Sequence, residues 1–180
     1  MTRHPGDRLL AVLIYWLFMC AWIALVAAVT VPLFLVGATG TLPPLAENAM
    51  AALVTVVPIT IALAVLESGP RQATPGKRAR RLMVQDARTG GALPFRRTLL
   101  RNALKIELPW IIGHAAVYGI VGASAAATGS GRSLPPGVEA ETAIAYVLPA
   151  VWFASLLIGS GRTPYDRIAG TVVARPAPRA

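Results

Sequence analysis

The residues of this chain that could do chemistry are few, and most stand where a long apolar run meets a basic segment. Asp166 follows Pro164 and is flanked by Arg162 and Arg167. A carboxylate so placed serves either as an ion or proton relay at the mouth of a membrane bundle or as a structural group. In the structural role it caps a short helix or bonds an arginine such as Arg8. Arg8 lies seven residues ahead of Tyr15, two helical turns, so the two share a face. Tyr15 can hydrogen-bond but stays neutral near pH 7. His114 falls about 9 Å into a third apolar run by helical rise, with Tyr118 one turn on. An ionisable group at that depth is a functional site or a neutral residue bonded to a neighbouring helix. Glu67 and Glu107 mark the inner ends of the second and third runs and read as boundary charges, Glu67 pairing with the arginine-rich loop and Glu107 with Lys105 or Arg101.

Signatures of catalysis and metal binding are missing from the chain. A phosphate loop ending at Gly76-Lys77 would need glycine at position 71 and Ser or Thr at 78, and both positions hold arginine. No H-E-x-x-H, G-x-S-x-G or paired-cysteine pattern occurs, and His4 and His114 are too far apart to suggest zinc. The expectation is a protein that is not an enzyme and holds no cofactor or metal. Cys20 is the single cysteine, so an intrachain disulfide is excluded.

The elements that must position these residues are four apolar runs, at about 9–36, 49–66, 108–127 and 142–158. Hydrophobic residues make up 55% of the chain and charged ones 14%, against about a quarter charged in soluble domains. Read as spanning helices, the runs place 16 of the 17 Lys and Arg on one side, with only Arg132 opposite. Basic loops stay cytoplasmic, so both termini are expected inside, in a bacterial plasma membrane. The net charge of +9 is then explained by anionic headgroups at the inner surface rather than by nucleic acid. The first run has 28 residues, about 42 Å as a helix, and must tilt, kink at Pro32 or project into the headgroups. Pro58 and Pro149 lie inside the second and fourth runs, while Pro109 opens the third, where proline costs a helix little. The tryptophans Trp16, Trp22, Trp110 and Trp152 read as anchors or packing residues, and only Trp110 sits clearly at an interface.

Two patterns give packing information. Ala115, Gly119, Ala123 and Ala127 recur every four residues, a small-residue stripe for close helix pairing within the bundle. In the loop 67–107, Phe95, Leu99 and Ala103 form one row and Arg97, Arg101 and Lys105 another. That spacing predicts a basic amphipathic helix lying on the inner membrane surface with its cations toward lipid. The fold class is therefore all-α, with four membrane spans, one such helix between spans two and three, and a disordered tail over 174–180.

Thr74-Pro75-Gly76-Lys77-Arg78, Val84 and Asp86, Arg101-Asn102 and the string from Arg162 to Val173 together resemble the RDD family of small bacterial membrane proteins. The resemblance covers nearly the whole chain, 1–173. It maps the family arginine onto Arg8 and the second family aspartate onto Asp166, beside Arg167. The frame of the first aspartate holds Tyr15. Cation–proton exchange, proposed for some members, is what the resemblance implies for function. Beside it stand a non-transporting scaffold that binds anionic lipid or a partner membrane protein through the basic loop, and a lipid-acting enzyme without a recognisable catalytic set. A homo-oligomer is a reasonable expectation for so small a transporter.

Overall fold

The computed structural model describes residues 5–38, 40, 42–126, 134–158 and 161–176. Arg132, Ala127 and the last four residues of the tail lie outside them. Among the described residues, four helices are long and apolar enough to cross a membrane: Gly6–Leu35, Leu45–Ser68, Phe95–Ser124 and Pro136–Leu157. Their outward faces carry bare apolar side chains, such as Leu17, Phe34, Val121 and Tyr146, as an exterior bathed in hydrocarbon requires.

Helix α1 is Pro5–Leu35 and runs through Pro32 without a break. The second span is assembled from α2 (Pro44–Ala51), one π turn (Ala52–Val56) and α3 (Val57–Ser68). It starts earlier than the apolar run suggests because Pro44 sits at the first helical turn, where its missing N–H is no loss. The third span repeats this construction: α5 (Phe95–Asn102), a π turn (Ala103–Glu107) and α6 (Leu108–Ala126). Both π turns end two residues before a proline, Pro58 and Pro109. A proline ring inside a helix collides with the carbonyl four residues back, and one widened turn relieves the collision. Pro109 is therefore not a helix entrance but an interior residue of one continuous helix from Phe95 to Ser124. The widened turn of span two also exposes the Thr55 carbonyl, which accepts the Trp22 indole N–H at 3.1 Å and ties α1 to it.

Helix α7 (Pro136–Leu157) begins a turn and a half before its apolar run and so contains Glu139 and Glu141. Gly119 of α6 faces Val138 of α7, and a Cβ there would come within 2.8 Å of a valine methyl. The small-residue stripe thus serves packing inside the chain. The central apolar cluster is Tyr15, Met19, Val56, Leu63 and Ile106, one layer shared by α1 and spans two and three.

At one end of the bundle the chain forms a compact cap. Helix α4 (Pro75–Ala79) is capped by the Thr74 side chain, and Gly76 lies against the Ala11 carbonyl so closely that any Cβ would overlap it. Strands β1 (Met83–Asp86) and β2 (Thr171–Ala174) pair antiparallel, Val84 opposite Val173, with helix α8 (Pro164–Ile168) just before β2. This ribbon was not anticipated, and it corrects the boundary of the expected tail: Ala174 is a strand residue paired with Met83. Arg97 fastens the ribbon, donating to the Ala169 carbonyl at 3.0 Å, to the Gly170 carbonyl at 2.6 Å and to the Asp86 carboxylate. Because that side chain is still about one-third exposed, Arg97→Ala is expected to cost only about 1–2 kcal/mol. Hydrogen exchange should show the loss as faster exchange at Val84 and Val173, with the spanning helices unchanged.

Candidate functional site: a buried ion network under the cap

Of the row Arg97, Arg101 and Lys105, the first two do not face lipid, contrary to the expectation from its spacing. Arg97 binds the ribbon, Arg101 is 1% exposed, and the Lys105 ammonium lies over the Tyr15 ring at 4.4 Å. The reason is the packing of α5 against α3, secured by the Thr98 hydroxyl donating to the Ala64 carbonyl at 3.0 Å. That contact turns the Arg101 face inward, toward two carboxylates.

Both carboxylates are fully buried. Glu67, at the end of span two, accepts from Arg101 Nη1 at 2.8 and 3.1 Å, from Asn102 Nδ2 at 2.9 Å, and from Lys77. Asp166 accepts from Arg101 Nε at 2.8 Å and Arg8 Nη2 at 3.1 Å, and from the hydroxyls of Thr163 at 2.8 Å and Thr171 at 3.0 Å. A carboxylate has about four lone-pair sites, so each is saturated. Arg101 is the bridge, its Nη1 donating to both oxygens of Glu67 and its Nε to Asp166. Its guanidinium also lies 5.3 Å from the centre of the Tyr165 ring.

Local sequence explains the placement of Asp166. Thr163-Pro164-Tyr165-Asp166 forms a capping box: the Thr163 hydroxyl accepts from the Asp166 backbone N–H, and the Asp166 carboxylate accepts from the Thr163 backbone N–H. Arg8 reaches over from α1 and also donates to the Gly161 carbonyl. The network therefore joins α1, α3, α4, α5, α8 and β2. Sequence reasoning brought Arg8 and Asp166 together but treated Glu67 as a boundary charge. It missed Lys77, Asn102, Thr163 and Thr171. The T-x-x-D cap at Thr163 was the available signal; nothing local marks Thr171.

The remaining candidates lie apart. Arg167 is exposed on α8. His114 stacks on Trp110, one turn away on α6, with ring centres 3.6 Å apart. Tyr15 joins the apolar cluster and lines the cavity next to Arg8, as their shared helical face requires.

Burial alone would raise the Asp166 carboxyl, but Arg101 and Arg8 outweigh it and hold the group well below the usual carboxylate range. At the ribbon, the Arg88 and Thr89 backbone N–H groups and Arg97 hold Asp86 at about 2. Both folded values lie below the unfolded value of 3.8. The stability they contribute is thus complete above that value and lost as pH falls through the folded values. These two carboxylates contribute no slope between pH 7 and about pH 5, and the thermal unfolding midpoint should fall steeply below about pH 4. A midpoint that instead rose on acidification would contradict this assignment.

Four apolar helices carrying a charged cap at one end define a small multi-pass membrane protein. The RDD family model matches residues 2–170, and the chain belongs to that family. Comparison with curated proteins and with solved structures gave no match.

Proposed function

We propose that the protein is a non-transporting scaffold of the bacterial plasma membrane, with both termini cytoplasmic, whose cap engages anionic headgroups. The observation that carries this reading is the saturation of Glu67 and Asp166, each accepting at least four hydrogen bonds. An exchanger needs a carboxylate that can trade a proton for a cation. Here the two buried carboxylates are engaged by arginine and lysine, and Tyr15 stands where a third would serve. The network is a lock that fixes the cap on the bundle. This reading carries with it neither enzymatic activity nor a cofactor.

The lock leaves other cations free for the surface: Arg71, Arg81, Arg88, Arg96 and Arg167 are exposed. Each arginine near an anionic surface contributes about 1 kcal/mol, screened by salt. Replacing Arg71, Arg81 and Arg88 together with glutamine should erase most of the extra thermal stability seen in phosphatidylglycerol nanodiscs relative to phosphatidylcholine nanodiscs. Unchanged headgroup dependence in the triple variant would remove the support for a lipid-directed cap.

A further inference from the structure

The network under the cap has more positive than negative charge. Arg8, Lys77, Arg101 and Lys105 line one small cavity of about 30 Å³ together with Tyr15 and Tyr165. Among the described residues only Glu67 and Asp166 pair with these cations, and both are saturated. Among the described residues Lys105 has no carboxylate partner, and the Tyr15 hydroxyl has no hydrogen-bonding partner. Half-buried and with no carboxylate bonded to it, the Lys105 ammonium would be stabilised by an added anion. The cavity has room for about two water-sized groups, enough for the oxygens of a headgroup but not for a large solute.

A second, apolar cavity of about 260 Å³ adjoins it. The two share Val12, Tyr15, Lys105, Leu156 and Tyr165, so Lys105 and Tyr15 stand at the seam. The apolar part runs between α1, α6 and α7, walled by Met19, Trp110 and Trp152. Its rim includes Trp16 and Phe153, each about half exposed on the outer face of the bundle, so it opens sideways. A cationic pocket continuous with a lateral apolar groove matches an amphiphile, whereas a free anion would leave the groove unfilled.

We propose that the protein holds one anionic phospholipid in this seam, its phosphate against Lys105 and the Tyr15 hydroxyl and the start of an acyl chain in the groove. This site is separate from the exposed arginines of the cap, and it stands whether or not the chain transports ions.

The test uses the full chain purified in detergent, with phosphatidylglycerol, phosphatidylcholine of the same acyl chains, or inorganic phosphate added. Native mass spectrometry should show one phosphatidylglycerol retained per chain, bound about tenfold or more tighter than phosphatidylcholine. Phosphatidylglycerol brominated on its acyl chain should quench tryptophan fluorescence at the same stoichiometry. Lys105→Gln should weaken retention about tenfold or more, and Tyr15→Asp, which supplies Lys105 with a carboxylate, should do the same. Lys105→Arg should retain the lipid, and Arg96→Gln, altering only the exposed surface, should leave it unchanged. Equal retention of the two lipids, no quenching by the brominated chain, or full displacement by inorganic phosphate would each overturn the proposal. So would unchanged retention in a folded Lys105→Gln protein.

Discussion

Replacing Glu67 with glutamine is expected to destabilise the folded bundle by about 3–5 kcal/mol, the usual cost of breaking a buried pair from one side. The side-chain volume is nearly kept, so the loss is electrostatic. Lys77 and Arg101 remain buried while one of the two carboxylates that neutralise them disappears. Denaturation in mixed micelles measures the effect. A second variant separates charge from packing: adding Lys77→Met to Glu67→Gln removes a stranded cation and should recover part of the loss. A Glu67→Gln protein within about 1 kcal/mol of the parent would mean that the pair is solvated, as exposed pairs are.

Gly76→Ala should be comparably damaging, by a different route. The α4 backbone lies on α1 at Ala11, and the added methyl would have to occupy the space of the Ala11 carbonyl. Neither backbone can yield without lifting α4, and with it Lys77, off the network. Overpacking of this kind costs about 1–3 kcal/mol where side chains can move, and here the obstacle is backbone, so about 3 kcal/mol or more is expected. Gly113→Ala on α6 is the control, because a Cβ there meets nothing. It should change stability by no more than about 0.5 kcal/mol. Equal behaviour of the two variants in denaturation would show that α4 does not pack on α1 as described.

The membrane architecture was legible because it rests on one-dimensional quantities. Run length sets the spans, and the third and fourth differ from expectation mainly at their ends, where Phe95 and Pro136 open helices earlier than the apolar runs do. The approach of Arg8 to Asp166 was also legible, since both flank spans at the same end. The ribbon was not: Met83 pairs with Ala174, and no local pattern reports a partner so distant in the chain. The cationic row failed for a related reason. Spacing by four says that Arg97, Arg101 and Lys105 share a face, but not what covers that face. Distant segments cover it: Glu67 and Asp166 meet Arg101, the ribbon meets Arg97, and the Tyr15 ring meets Lys105. The π turns escaped notice because a proline shows where a helix is strained and not how the strain is released.

On the scaffold reading proposed above, Asp166 is a saturated structural group and the protein moves no cation. The most direct test of that reading is proton flux in sealed proteoliposomes, recorded with an internal pH dye during Na⁺ and K⁺ pulses, for the parent chain and for Asp166→Asn checked for folding. The predicted result is no cation-driven flux in the folded parent, with Asp166→Asn differing only in lower stability. Cation-driven flux in the parent that vanishes in a folded Asp166→Asn protein would contradict the account.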